Sequence, residues 1–357
     1  MTDKAKQPVD GPASEADGRL NAQLDRVLAA LRGVSGNIVG LLLLFALLAG
    51  LFEILLPGAF LQTSTLQAMM FQLPELGLLS LAMAIPLISG GINLAIIATA
   101  NQTALLMAWI LTMLMPHDAQ GVTLAFWIAA ALSAGLLLSL VIGLVTGALI
   151  AVLKVHPILV TLGTMTLVNG ISIYFTRGRT LTGFPDALIA VSNDTAFGMP
   201  ISFILFVLVA VAVHLLLHRT PLGIRIYMIG SNLEATRFSG VDTVRVQIWV
   251  YVLSSVLCWV AAVLMMARFN AAGADIAQSY LLITILAAIL GGIDPYGGFG
   301  RIVGLFASLC ILQTISSGFN LLGLSSHLTL AFWGFILLAV ITAKRIVPLW
   351  RVWHRPD

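Results

Sequence analysis

The chain has 357 residues, 59% of them hydrophobic and 9% charged, with a mean hydropathy of +1.03. A soluble domain carries about 25% charged residues, so the composition excludes a water-soluble globular protein and predicts an all-α, polytopic membrane protein. The pI of about 9.1 does not point to nucleic acid, because the basic residues are dispersed over short loops, where they orient a chain in a bilayer.

Residues 1–18 mix Lys, Asp, Pro, Gly, Ser and Glu without apolar periodicity, which predicts disorder. From Arg19 to Arg32 the apolar residues Leu20, Leu24, Val27, Leu28 and Leu31 fall on one helical face. Two readings are open for it: an amphipathic helix on the cytoplasmic membrane surface, or a soluble lead-in. Residues 1–35 thus form a polar N-terminal segment, and no cleavable signal peptide is expected before the first apolar run. A spanning helix needs about 20 apolar residues. The candidate runs are 36–56, 66–89, 92–115, 122–152, 157–175, 199–218, 247–268, 279–292, 299–317 and 326–347. They define a transmembrane domain at 36–347 with about ten helices and a tail at 348–357. The run 122–152 is too long for a straight perpendicular span; it must tilt, kink near Gly135, Gly143 and Gly147, or project beyond the lipid. The run 279–292 is too short unless it extends into its flanks.

With both termini inside, fifteen of the 18 basic residues fall on the cytoplasmic side, and only Arg177, Arg179 and Arg268 fall outside. The same assignment places the polar island 219–246 in the cytoplasm. Within it, Ser231-Asn-Leu-Glu234 fits a capping box and Gly240 supplies a helix stop. A helix of about two turns is expected over 232–239. It is either a docking surface or an ordered connection between spans.

No phosphate loop, His-Glu-x-x-His or Cys-x-x-Cys occurs. Cys258 and Cys310 read as small buried hydrophobes. No metal site and no catalytic constellation are expected. Glu53 and Glu75 are the main acidic groups within spans, both placed toward the outer interface. An intramembrane carboxylate is a functional candidate, and these two carry the alternative of a proton-coupled secondary transporter for a small polar solute. Uncharged polar residues cluster behind Gly90-Gly91, which can break a helix and line a cavity. Asn93, Thr99, Asn101, Gln102 and Thr103 are candidates for the solute path, with Asn169, Thr161 and Thr164 as weaker ones. They are suited to bonding hydroxyls. The same amides can instead bond across helices. Two glycine-rich loops stand out as well, 291–301 inside and 177–185 outside.

Several motifs in order carry a resemblance: Gly90-Gly-Ile-Asn-Leu94, Gly178-Arg-Thr with Gly183-Phe-Pro185, Thr220-Pro-Leu-Gly through Phe238-Ser-Gly240, Leu290-Gly-Gly292, Gly297-Gly-Phe-Gly-Arg-Ile-Val-Gly304, and Gly318-Phe-Asn-Leu-Leu-Gly-Leu-Ser325. Over roughly residues 36–345 the chain resembles the permease subunits of bacterial ribose-type sugar ABC importers. The resemblance implies a multi-pass permease of the bacterial inner membrane that pairs with a second permease copy or a paralogue. It also implies a cytoplasmic ATP-binding subunit, which holds ATP and Mg, and a periplasmic solute-binding protein. The permease itself is then no enzyme and carries no cofactor. By the same resemblance the island holds the coupling helix that docks on the ATPase, through Gly230, Asn232, Glu234, Ala235, Thr236 and Gly240. The chain departs from the family pattern Gly-Gly-Ile-Asp-Leu-Ser at Asn93 and Ala95. A second Gly-Gly-Ile precedes Asp294 on the same side and reads as a chance match. The expected function is ATP-driven import of a neutral polyhydroxylated small molecule such as a sugar or polyol.

Overall fold

The structure is a computed structural model that describes residues 36–116 and 118–353. The helix expected at 19–32 and the last four residues of the tail lie outside the described residues. Each expected span corresponds to a helix: α1 Gly36–Leu55, α2 Thr63–Ile88, α3 Ile96–Trp109 with a π-helical turn Ile110–Leu114, α4 Gly121–Ala151 and α5 Pro157–Thr176. A short strand β1 (Leu181–Thr182), helix α6 (Asp186–Asn193) and the hairpin β2 (Thr195–Ala196)–β3 (Met199–Pro200) then lead to α7 (Ile201–Arg219). The island holds α8 Pro221–Ser231 and α9 Leu233–Phe238, and is followed by α10 Thr243–Phe269, β4 Ala271–Ala272, α11 Tyr280–Leu290, α12 Ile302–Leu321 and α13 Ser326–Trp353. Among the described residues, eight helices are long and apolar enough to cross a membrane, and two shorter apolar helical stretches, Tyr280–Leu290 and His327–Val340, accompany them. The last helix runs past residue 347, where the tail was expected to begin.

Apolarity on every side of a helix calls for cover on every side, from protein or from lipid. Helix α2 meets it: every residue from Leu73 to Ile88 is buried. Helix α10 packs most extensively on α4, then on α2 and α3. By contrast 17% of the apolar stretch of α5 is buried, against 89% for α2; α5 turns most of its surface outward. At 31 residues, α4 is about 46 Å long against a hydrocarbon core of about 30 Å. It is not broken at its glycines. A Cβ on Gly143 would lie 2.9 Å from the Tyr251 carbonyl oxygen, and one on Gly147 2.9 Å from Ile248 Cα. These glycines admit α10 at close range instead of kinking α4.

Passes alternate between two ends. One end gathers the island, the 88–95 segment and the 291–301 loop; the other carries β1 paired antiparallel with β4 (Leu181↔Ala272, Thr182↔Ala271). Helix α11 has 11 residues and spans about 16 Å, so it crosses only part of a bilayer. Its N-terminal flank, into which a full span would have had to extend, is non-helical. Asn101 on α3 holds that flank: its amide nitrogen donates to the carbonyls of Ala274 (2.8 Å) and Ile276 (2.9 Å). Replacing Asn101 by Leu leaves both carbonyls without that donor, at roughly 1–3 kcal/mol for each buried orphan. Lower thermal stability in detergent and faster amide exchange over residues 271–279 are expected; unchanged exchange would show that the flank holds itself.

Candidate functional site

The island is built from three successive caps. Thr220 starts α8, accepting from the Gly223 amide at 3.2 Å, with Pro221 at the first helical position. This helix was not anticipated from the sequence, although Thr-Pro is a start signal. Asn232 ends α8 and starts α9, its side-chain oxygen accepting from the Ala235 amide at 2.9 Å. The cap expected at Ser231 is therefore one residue off: Ser231 is the last residue of α8, where its backbone is already helical. Gly240 takes the expected left-handed conformation at φ +79°. Asp242 then caps α10, accepting from the Arg245 amide at 3.1 Å and pairing with its guanidinium at 2.9 Å.

Of the six residues assigned to coupling, the structure exposes Asn232, Glu234, Ala235 and Gly240, and buries Thr236, whose hydroxyl donates to the Asn232 carbonyl at 2.7 Å. In α9 only Thr236 is buried, while Leu233 and Phe238 present apolar surface. A cavity of about 450 Å³ separates α9 from the ends of α4, α5 and α10, with Lys154, His156, Glu234, Arg237 and Gln247 among its walls.

Gly230 points the other way, into a junction of three backbones. Gly298 donates its amide to the Ile88 carbonyl at 2.8 Å. A Cβ on Gly230 would collide with that same carbonyl oxygen and with the Gly298 nitrogen. A Cβ on Gly297 would lie 2.6 Å from the Gly90 nitrogen and 2.9 Å from the Gly230 carbonyl oxygen. Tyr227 braces the loop by donating to the Gly300 carbonyl at 2.7 Å; burial pushes its phenol pKa up, against a smaller opposing pull from Arg301.

The two Gly-Gly-Ile copies both end a helix, but one residue out of register: the left-handed glycine is the first of the pair at Gly90 and the second at Gly292. Gly90 (φ +82°) bonds back to Leu87 and Gly91 to Pro86; Gly292 (φ +88°) bonds back to Ile289 and Ile293 to Ala288. Both are Schellman helix stops. Each is followed by a turn in which a side-chain oxygen, of Asn93 or of Asp294, accepts from the amide two residues on. They lie at the same end of the bundle, as the basic-residue distribution implied. The departure at Asn93 has a local reason. Ser254 donates its hydroxyl to the Ala82 carbonyl at 2.7 Å, so its oxygen is left to accept, and the Asn93 amide nitrogen donates to it at 2.9 Å. An ionised Asp has no such donor.

The solute-path candidates are not gathered in one place. Asn93 and Asn101 are 3% and 2% exposed, with their amides bonded within the protein. Thr103 donates to the Thr99 carbonyl, while the Thr99 hydroxyl and the Asn169 side-chain oxygen are buried without a hydrogen-bond partner. Thr161 binds the Ile92 carbonyl of the unwound segment at 3.2 Å, and Thr164 meets Thr146 at 3.3 Å. Gln102 and Thr164 reach open space: the Gln102 side-chain oxygen accepts from the Ser172 hydroxyl, and these two line a cavity of about 590 Å³ that Trp109, Arg177 and Arg179 also border, while Gln102 and Thr164 share the wall of another of about 540 Å³. A polar recess of about 290 Å³, formed by Ser279, Ser316, Asn320 and Thr329 around Trp333, sits among α11, α12 and α13. These residues are far apart in sequence, and no local signal marks them.

Neither carboxylate is free at an interface. Glu53 accepts from the amides of Gly58 (3.0 Å) and Leu61 (3.1 Å), closing the turn after α1. Glu75 is 1% exposed and pairs with Arg268 at 3.1 Å.

Residues 65–341 match the family described as branched-chain amino acid transport system / permease component. The chain is also similar to autoinducer 2 import system permease proteins LsrD. Identity is 28% with those of Yersinia pseudotuberculosis serotype O:1b (strain IP 31758) and Photorhabdus laumondii, and 27% with that of Yersinia pestis (strain Pestoides F), in each case over 76% of this chain and 80% of the relative. No solved structure matches.

The capping geometry separates two neighbouring substitutions. Asn232→Ala is expected to destabilise α9 by about 1 kcal/mol and to accelerate amide exchange at Glu234 and Ala235. Ser231→Ala is expected to leave α9 unchanged by the same measurement.

Proposed function

We infer the function from one premise: this chain belongs to the branched-chain amino acid transport system / permease component family. It is a permease component, a translocation subunit of the inner membrane with several membrane-spanning helices. The reading that follows is ATP-driven import of a neutral, polyhydroxylated small molecule. Mg-ATP is held by a separate cytoplasmic ATPase. A periplasmic binding protein delivers the solute, and a second permease copy or paralogue completes the path. The island end and both termini face the cytoplasm, in line with the basic-residue asymmetry.

The observation that carries this reading is α9. It is a capped helix, exposed on every residue but one, on a chain with no phosphate loop of its own. Leu233 and Phe238 offer it an apolar contact, and Glu234 and Arg237 a charged rim. The solute class follows from charge. Among the described residues Glu75 is the one charged side chain that is buried, and it is neutralised by Arg268. Gln102 with Ser172, and the recess around Trp333, offer uncharged donors and acceptors, with Arg177 and Arg179 at the border of the Gln102 cavity. The relatives named as autoinducer 2 import system permease proteins support import as the direction of transport. A proton-coupled mechanism lacks support, since both oxygens of Glu53 hold backbone amides and Glu75 is ion-paired.

Reconstitution in liposomes with and without the ATPase tests the reading. Uptake is expected only with ATP, binding protein and ATPase together, to be vanadate-sensitive, and to survive a protonophore. Uptake by the chain alone, driven by a proton gradient, would overturn it. In the same system Gln102→Leu is expected to raise the KM for uptake about tenfold, the effect of roughly one lost hydrogen bond, with assembly unchanged.

A further inference from the structure

We propose that the contact among Gly90, Gly230 and Gly297–Gly298 is the rigid link that carries movement of α9 into the broken helix at residues 88–95. The proposal rests on the ATP-coupled reading above and names positioning residues for it.

Helix α9 has two ways to pass on a displacement. Its C-terminal exit runs through Gly240, where no atom lies within 4 Å of the position a Cβ would take and the backbone stands at φ +79°. That exit has no backbone packed against its glycine. Its N-terminal side is different. Asn232 is both the end of α8 and the cap of α9, and Gly230 lies two residues before it. Gly230 touches the Ile88 carbonyl and the Gly298 amide, and Gly298 in turn lies against Ser231, where a Cβ would stand 2.9 Å from the Ser231 Cα. The Gly298 amide is bonded to the Ile88 carbonyl at 2.8 Å.

Side chains between moving elements absorb small shifts by changing rotamer at small cost. Backbone against backbone has no such slack, because close-packed contacts switch between discrete arrangements. A shift of α9 is therefore imposed on Ile88–Gly90. From there it passes into the non-helical segment that holds Asn93, bonded to Ser254 of α10, and begins α3, the helix of Gln102. One junction thus connects the exposed helix to both α3 and α10. The glycines are needed for the contact itself and not only for chain reversal: Gly230 is inside a helix, where any residue meets the backbone requirement.

The test uses the assembled transporter in liposomes. Gly230→Ala is expected to leave assembly and ATP hydrolysis near the wild-type level and to lower solute moved per ATP roughly tenfold. Gly50→Ala, on α1 where nothing lies within 4 Å, is the control expected to transport normally. Wild-type transport by Gly230→Ala overturns the proposal. So does an equal fall in hydrolysis and uptake by a complex that still assembles, which marks a structural role. Should the variant fail to insert, amide exchange on the wild-type complex decides, comparing nucleotide-free and vanadate-trapped states. Amides of 88–95 and 297–298 are expected to change together with those of 233–238; constancy at 88–95 overturns the proposal. Uptake by the wild type without ATP would instead sink the functional reading, so the two failures are told apart.

Discussion

Lipid offers no hydrogen bonds, so a backbone that leaves the helix inside a membrane protein must find every partner within the protein. This chain leaves the helix at 89–95 and again at 270–279, and much of its polar inventory serves those two departures. Asn93 closes its own turn and reaches Ser254; Thr161 supports the Ile92 carbonyl; Asn101 holds Ala274 and Ile276. Residues whose chemistry suits a solute are thus also those that make irregular backbone tolerable. Two demands compete for the same amides, and the backbone has taken Asn93 and Asn101. Gln102, one position along α3, is left to face a cavity.

Glycine plays a matching part at the helix surfaces. Where α10 crosses α4, Gly143 and Gly147 bring main chain to main chain, and dispersion contacts replace the hydrophobic drive that lipid does not provide. At the island end the same device joins three segments that are remote in sequence, at 88–90, 230 and 297–298. The permease thereby has a rigid centre, α2 and α10, and an outward α5. Between the rigid core and the exposed α9 stands a contact with no side chain to soften it. An ATP-driven device needs such stiffness between the place where force is applied and the place where the path opens.

Much of this was legible in the sequence because the signals are local. Long apolar runs located every spanning helix to within a few residues, since a bilayer demands length and apolarity together. The charged island and its short helix were readable from a cap, a glycine and a change of composition. The ordered motifs indicated the transport family. Where local signals competed, the reading slipped. Ser231 and Asn232 are both good caps, and only the length of α8, itself set by Thr220 and Pro221, decides between them. The glycines of α4 looked like points of weakness, and only the arrival of α10 makes them points of contact.

By itself the sequence determined that the chain is a bundle of apolar helices and where a capped polar helix interrupts it. These follow from composition and spacing, which act over a few residues. The tertiary structure alone decided what the polar residues do. Glu75 was placed at an interface by its position in the run, and proves to be buried against Arg268, 193 positions away in sequence. Gly230 was grouped with the exposed face of the island and proves to touch Ile88 and Gly298. Partners so distant leave no periodicity to read; they meet only once α2 and α10 have packed together at one end of the bundle and the 291–301 loop has closed on the island at the other.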